Sequence, residues 1–189
     1  MFIIFFHASK TPELTTLKPH VSNHGKPLIY FSEKRQNVLV YLSNAVEKHC
    51  KQAGFHHNGI YKKWGSYGFT KDGILRLEEY YPNATFETYK GESGYIYSVE
   101  SEEDFCPQDD IPYAFISEKE VSVIACEYIP DAYEAIQKAV ENGEIVLQKY
   151  ADNDKAMLEW IEKTIKAEYK NAEKHPEYRE FLEVKFNFL

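Results

Sequence analysis

The sequence predicts an α+β protein, and three observations carry that prediction. Tyrosine and phenylalanine are abundant, 15 and 12 residues, and aromatic side chains favour the pleated surface of a strand. Two apolar runs near the N-terminus, 2–7 and 27–31, read as buried strands that each end in a polar residue, His7 and Ser32. Helical spacing of apolar residues follows the second run and returns at the C-terminus, with turn-rich strand patterns between.

The elements follow in order. After the first strand, residues 8–26 form a polar loop holding Pro12, Pro19 and the turn-like Asn23-His24-Gly25. The second strand leads into Ser32, which reads as a helix N-cap, with Arg35 where a capping box would have Glu or Gln. The helix beyond it carries Val38, Leu42, Ala45 and His49, with Leu39 and Val46, on one side, and Gly54 is its expected C′ residue. Residues 55–73 are mixed. Three strands are then expected at 74–81, 85–89 and 95–99, separated by Pro82-Asn83 and by 91–94, as an antiparallel meander. The acidic stretch 100–110 reads as a solvated loop, and 113–117 and 121–126 as two more strands. Pro130-Asp131 opens a helix that Asn142-Gly143 closes, and 144–148 is a short strand. Residues 153–174 form an amphipathic helix with Met157, Trp160, Ile161, Thr164 and Ile165 inward. His175-Pro176 breaks it, and a last short helix holds Tyr178, Phe181 and Leu182. Residues 1–150 then make one α+β domain, and 151–189 a helical extension packed on it.

Composition narrows the function. A net charge of −8 argues against general nucleic-acid binding, which needs a basic footprint. Lys62-Lys63 beside Trp64 is the one basic candidate, and reads more simply as surface beside core. Cys50, Cys106 and Cys126 are scattered and odd in number, which suits free thiols in a reducing compartment. The apolar start stops at His7, too short for a signal peptide, and no stretch is long enough to span a membrane. A cytoplasmic location is the expectation.

Few residues suggest chemistry. His7 reads either as a core histidine satisfied by main chain or as a neutral imidazole at a pocket rim. Tyr30 reads as core or as a platform for a planar ring. His56-His57 and Glu78-Glu79 are adjacent pairs, and neighbours on a strand face opposite ways, so neither pair suits a shared site. The acidic runs do not fit an EF-hand, and no metal site is expected. There is no phosphate loop, no dinucleotide fingerprint and no nucleophile elbow.

Two short segments resemble a known superfamily. Phe6-His7-Ala8-Ser9 resembles the histidine motif on the first strand of ADP-ribosyltransferases, a hydrophobic residue followed by His-Gly-Ser/Thr. Ile29-Tyr30-Phe31-Ser32, followed by a helix, resembles their second motif, a strand tyrosine with a small residue two places on. The layout agrees over roughly residues 1–130, though the motifs occupy only a few positions. The resemblance implies a split antiparallel β core with a helix after the second strand and C-terminal helices. It implies NAD as substrate: His7 on a ribose hydroxyl, the Ala8 main chain on the nicotinamide amide, Tyr30 stacked on the nicotinamide and Ser32 lining the pocket. The imidazole and the phenol should then converge on one slot. The implied chemistry is loss of nicotinamide through an oxocarbenium-like transition state, in a transferase or an NAD glycohydrolase.

Two departures qualify it. Ala8 stands where the family has glycine. The third motif, a glutamate on a late strand, should fall within 113–117, and Ala114 stands nearest its place. Glu118, Glu120 and Glu127 could replace it only in another register. No catalytic residue is therefore assigned, and the expectation is an enzyme or a degenerate enzyme of that superfamily that binds NAD or a related nucleotide. A second expectation, of another class, is a non-catalytic interaction module with Trp160 and Ile161 on a partner or dimer surface. The protein partner or acceptor is not indicated.

Overall fold

The computed structural model describes residues 3–21, 25–57, 63 and 65–189. It is a mixed α+β protein, 35% helical and 26% strand, with antiparallel sheet, which is the class expected. In chain order the elements are β1 (Ile4–Ser9), β2 (Thr16–Leu17), β3 (His20–Val21), β4 (Pro27–Ser32), a 3-10 helix (Arg35–Leu42), α1 (Ala45–Ala53), β5 (Tyr67–Phe69), β6 (Leu75–Glu78), α2 (Ala84–Tyr89) and β7 (Gly94–Glu100). They continue as β8 (Cys106–Pro107), β9 (Ala114–Ser117), β10 (Val121–Ser122), β11 (Ala125–Ile129), α3 (Ala132–Glu141), β12 (Ile145–Gln148), a short 3-10 turn (Tyr150–Asp152), α4 (Lys155–Asn171) and α5 (Pro176–Lys185). The chain divides into two compact units, one of 1–42, 69–75 and 89–146, the other of 43–68, 76–88 and 147–189.

The first unit is built on a seven-stranded sheet in the order β11-β7-β1-β4-β9-β8, with β3 also paired to β4. Side chains alternate between its faces. On one face Phe5, Ile29, Phe31, Tyr97 and Val99 share a core with Leu17 and Val121, which pair across the small β2–β10 sheet. Across the other face lies the 3-10 helix, packed on β1, β4 and β7 and covered in turn by α3. Its close approach depends on Gly94. A Cβ there would stand 2.6 Å from Leu42 Cδ2 and 3.1 Å from the Ser9 carbonyl oxygen.

The second unit is mostly helical. Val46 and Cys50 of α1, Ile161 and Ile165 of α4, and Tyr178, Phe181 and Leu182 of α5 form its core. Besides the seven-stranded sheet, the chain has a three-stranded sheet in the order β12-β6-β5. Among the described residues no helix is long and apolar enough to cross a membrane. The three cysteines are free thiols.

Several elements differ from expectation, each for a physical reason. The helix expected directly after Ser32 is two pieces. Asn44 breaks it by capping α1, its side chain accepting the Glu47 N–H at 3.1 Å. Ser32 caps only a turn, its hydroxyl accepting the Lys34 N–H at 3.1 Å. The strand expected at 85–89 is helix α2. The buried Glu79 carboxylate accepts the Thr85 N–H at 3.0 Å, satisfying a donor at the start of that helix. The strand expected at 121–126 is interrupted, because β10 serves Leu17 and Thr16 while β11 serves β7. Trp160, expected inward, is 48% exposed, while its neighbour Ile161 is 2% exposed. The two therefore do not form a shared surface. Gly54 ends α1 as expected, at a φ of 69°. Asn23, His24, Lys62 and Trp64 lie outside the described residues.

Candidate functional site: a parting between two strands

β1 pairs with β7 at six consecutive positions, from Ile4 with Glu100 to Ser9 with Tyr95. With β4 it pairs at one position, Phe6 with Ser32. Along an antiparallel strand, alternate residues direct their main-chain groups to opposite neighbours. The Ser101 N–H donates to Ile3 O at 2.9 Å, and the Glu33 N–H to Tyr113 O at 3.0 Å. Counting by twos from these bonds, Phe5, His7 and Ser9 serve β7, whereas Phe6 and Ala8 face β4. On β4, Ile29 and Phe31 serve β9, whereas Tyr30 and Ser32 face β1. The rung after Phe6–Ser32 would join Ala8 to Tyr30, and that reciprocal pair is not formed. His7 Nδ1 instead bonds Tyr30 O at 2.8 Å. The His7 side chain thus bonds the carbonyl at the place of that rung, and the Ala8 N–H is directed toward β4.

The same bond fixes the state of the imidazole. A carbonyl oxygen can only accept, so Nδ1 carries the proton and Nε2 of the neutral ring is an acceptor. Burial pushes the His7 pKa below its ordinary value; the bond to Tyr30 O opposes this, and His20 adds to it. Nε2 has no hydrogen-bond partner among the described residues.

The predicted site residues are adjacent, yet their side chains divide between the two faces. The His7 ring meets Phe31, with centroids 6.1 Å apart, on the core face. Tyr30 stands between Ile29 and Phe31, which both point into that core, so its ring points to the opposite face, as do Ala8 and Ser32. The expectation that imidazole and phenol converge to frame one slot is thus corrected: the two rings lie on opposite faces of the sheet. They flank the parting from opposite faces. Ser32 is buried, and its hydroxyl is engaged by Lys34 N–H.

The strand searched for a third-motif carboxylate, β9, lies directly beside β4. Ala114 stands opposite Ser32. Glu118 follows the far end of β9, Glu120 pairs with Lys18 at 3.3 Å, and Glu127 lies on β11, three strands from β4. Arg35 grips Glu127 with two bonds, Nε to Oε2 at 2.7 Å and Nη2 to Oε1 at 2.6 Å, which hold its carboxyl below the usual range. The residues that β9 sets opposite Tyr30 and Ser32 are Ile116 and Ala114, not a carboxylate. Glu78 and Glu79 also stay apart in role: Glu78 pairs with Arg76 at 2.5 Å, and Glu79 serves Thr85 and Tyr150. Among the described residues no group of three side chains is arranged to hold a metal ion.

Sequence reasoning missed Tyr113. It is a non-glycine residue at a φ of 62°, a strained conformation. Its carbonyl accepts the Glu33 N–H, and Lys34 Nζ lies 4.8 Å from its ring centroid. Only the preceding proline hints at it. The chain matches no family model, no curated protein and no solved structure.

Proposed function

We propose that the parting between β1 and β4 binds NAD by its nicotinamide end, and that the protein is an ADP-ribosyltransferase-like binder without the carboxylate for transfer. One observation carries this reading: the Ala8–Tyr30 rung is not formed and His7 Nδ1 bonds Tyr30 O instead, with the Ala8 N–H directed toward β4. A carboxamide oxygen is the natural acceptor for that N–H. His7 Nε2 then accepts from a ribose hydroxyl, a direction set by the proton on Nδ1. Tyr30 bounds the opposite face with its ring.

Breaking the bond to nicotinamide develops positive charge on the ribose, and a nearby carboxylate would stabilise it. At the place on β9 where the resemblance puts that group there is Ala114. Binding without cleavage follows.

The test is thermal melting with NAD and with nicotinamide, alongside chromatography for released nicotinamide. At a ligand concentration a hundred times Kd, binding stabilises the fold by about 2.7 kcal/mol. The expected result is a raised Tm, no release, and loss of the shift in His7→Ala and Tyr30→Ala. No shift with either compound would refute binding, and catalytic release of nicotinamide would refute the lost transfer step.

A further inference from the structure

The seven-stranded sheet ends in β8 on one side and β11 on the other. These edges are not alike. β8 is two residues long and ends in Pro107, which has no N–H to offer. β11 has five residues, Ala125–Ile129, with no lysine, no proline and, among the described residues, no partner but β7. Ala125, Cys126, Glu127 and Tyr128 are all exposed, Tyr128 by 55%, and Ile124 just before them by 51%. One end of the sheet is blunted against strand addition and the other is not.

The main chain of β11 is set for a particular partner. Val99 and Tyr97 serve β1, so Ser98 and Ile96 serve β11, and their opposites Ala125 and Glu127 point inward. Cys126 and Tyr128 therefore direct their N–H and C=O groups outward. We propose that a second copy of this chain pairs antiparallel along this edge, about a two-fold axis at Glu127. Cys126 of each copy then stands opposite Tyr128 of the other, and both outward residues exchange both of their main-chain bonds. A two-fold at Cys126 would set Tyr128 against Ile124, whose N–H already goes to Ser98 O at 2.9 Å. The axis at Glu127 brings two carboxylates together, but each comes already neutralised by its own Arg35. A chain of net charge −8 thus presents a locally neutral edge to its copy. The blunt β8 edge ends the assembly at a dimer.

Sedimentation of the full chain is the first test, and a reversible monomer–dimer equilibrium is expected. The second is register. Opposed residues in a hydrogen-bonded antiparallel pair have Cα atoms about 5.5 Å apart, within disulfide reach. Tyr128→Cys in a Cys106→Ser background should therefore give a disulfide-linked dimer under mild oxidation, and adding Cys126→Ser should abolish it. Cys126→Lys with Tyr128→Lys should sediment as a monomer with an unchanged circular dichroism spectrum. A wild type that stays monomeric at every concentration overturns the proposal. So does a dimer that survives the two lysines, a wild-type dimer without the cross-link, or a cross-link that persists without Cys126.

Discussion

The position of one proton decides what His7 can do. With Nδ1–H committed to Tyr30 O, the ring offers only a lone pair at Nε2. Its pKa in the folded chain lies below the ordinary 6.5, with burial the main cause. Between the lowered value and 6.5 the unfolded chain holds a proton that the folded chain does not. The stability contributed by neutral His7 is therefore fully present above about 6.5 and is lost as pH falls through the folded value. Melting curves across that window should show wild type losing stability on acidification more steeply than His7→Gln. Equal slopes would mean that the imidazole is not buried neutral. At this scale the sequence was informative about identity and silent about direction. His7 stands out as the polar end of an apolar run and Tyr30 as a phenol within the next, but which face each ring takes depends on the register between β1 and β4, and one chain read alone does not carry that pairing.

At the scale of elements, the presence of β1 and β4, the helix capped at Asp131 and the break at His175-Pro176 were legible, because each rests on local pattern or capping chemistry. The failures have a common cause. Thr85–Tyr89 alternates like a strand, yet a buried carboxylate six residues earlier, Glu79, binds the Thr85 N–H in the first turn of a helix there. Arg35–Leu42 is buried along most of its length, so its helical stripe says little about where one helix ends and the next begins. The parting of β1 from β4 makes its own prediction. Hydrogen exchange should find the Ala8 amide less protected than those of His7 and Ser9, which serve β7. Saturating NAD should slow Ala8 selectively. Uniform protection along β1 would show that the strands stay paired.

On the scale of the whole molecule, two cores answer to different residues. Leu182 is 1% exposed within the helical unit, and Leu182→Ala should cost about 2–5 kcal/mol there by denaturant unfolding. NAD should still stabilise that variant, because His7, Ala8 and Tyr30 all belong to the other unit. Loss of the NAD response on truncating Leu182 would show that the binding residues depend on the helical core.

The lone rung between Phe6 and Ser32 also has a mechanical meaning. It makes a fulcrum between two half-sheets, β11-β7-β1 and β4-β9-β8, braced from one side by the 3-10 helix that crosses β7, β1 and β4. Anything that bridges Ala8 to Tyr30 would add a second point of attachment between the halves. Occupancy would then register as stiffness as far away as β8, a strand that touches neither residue.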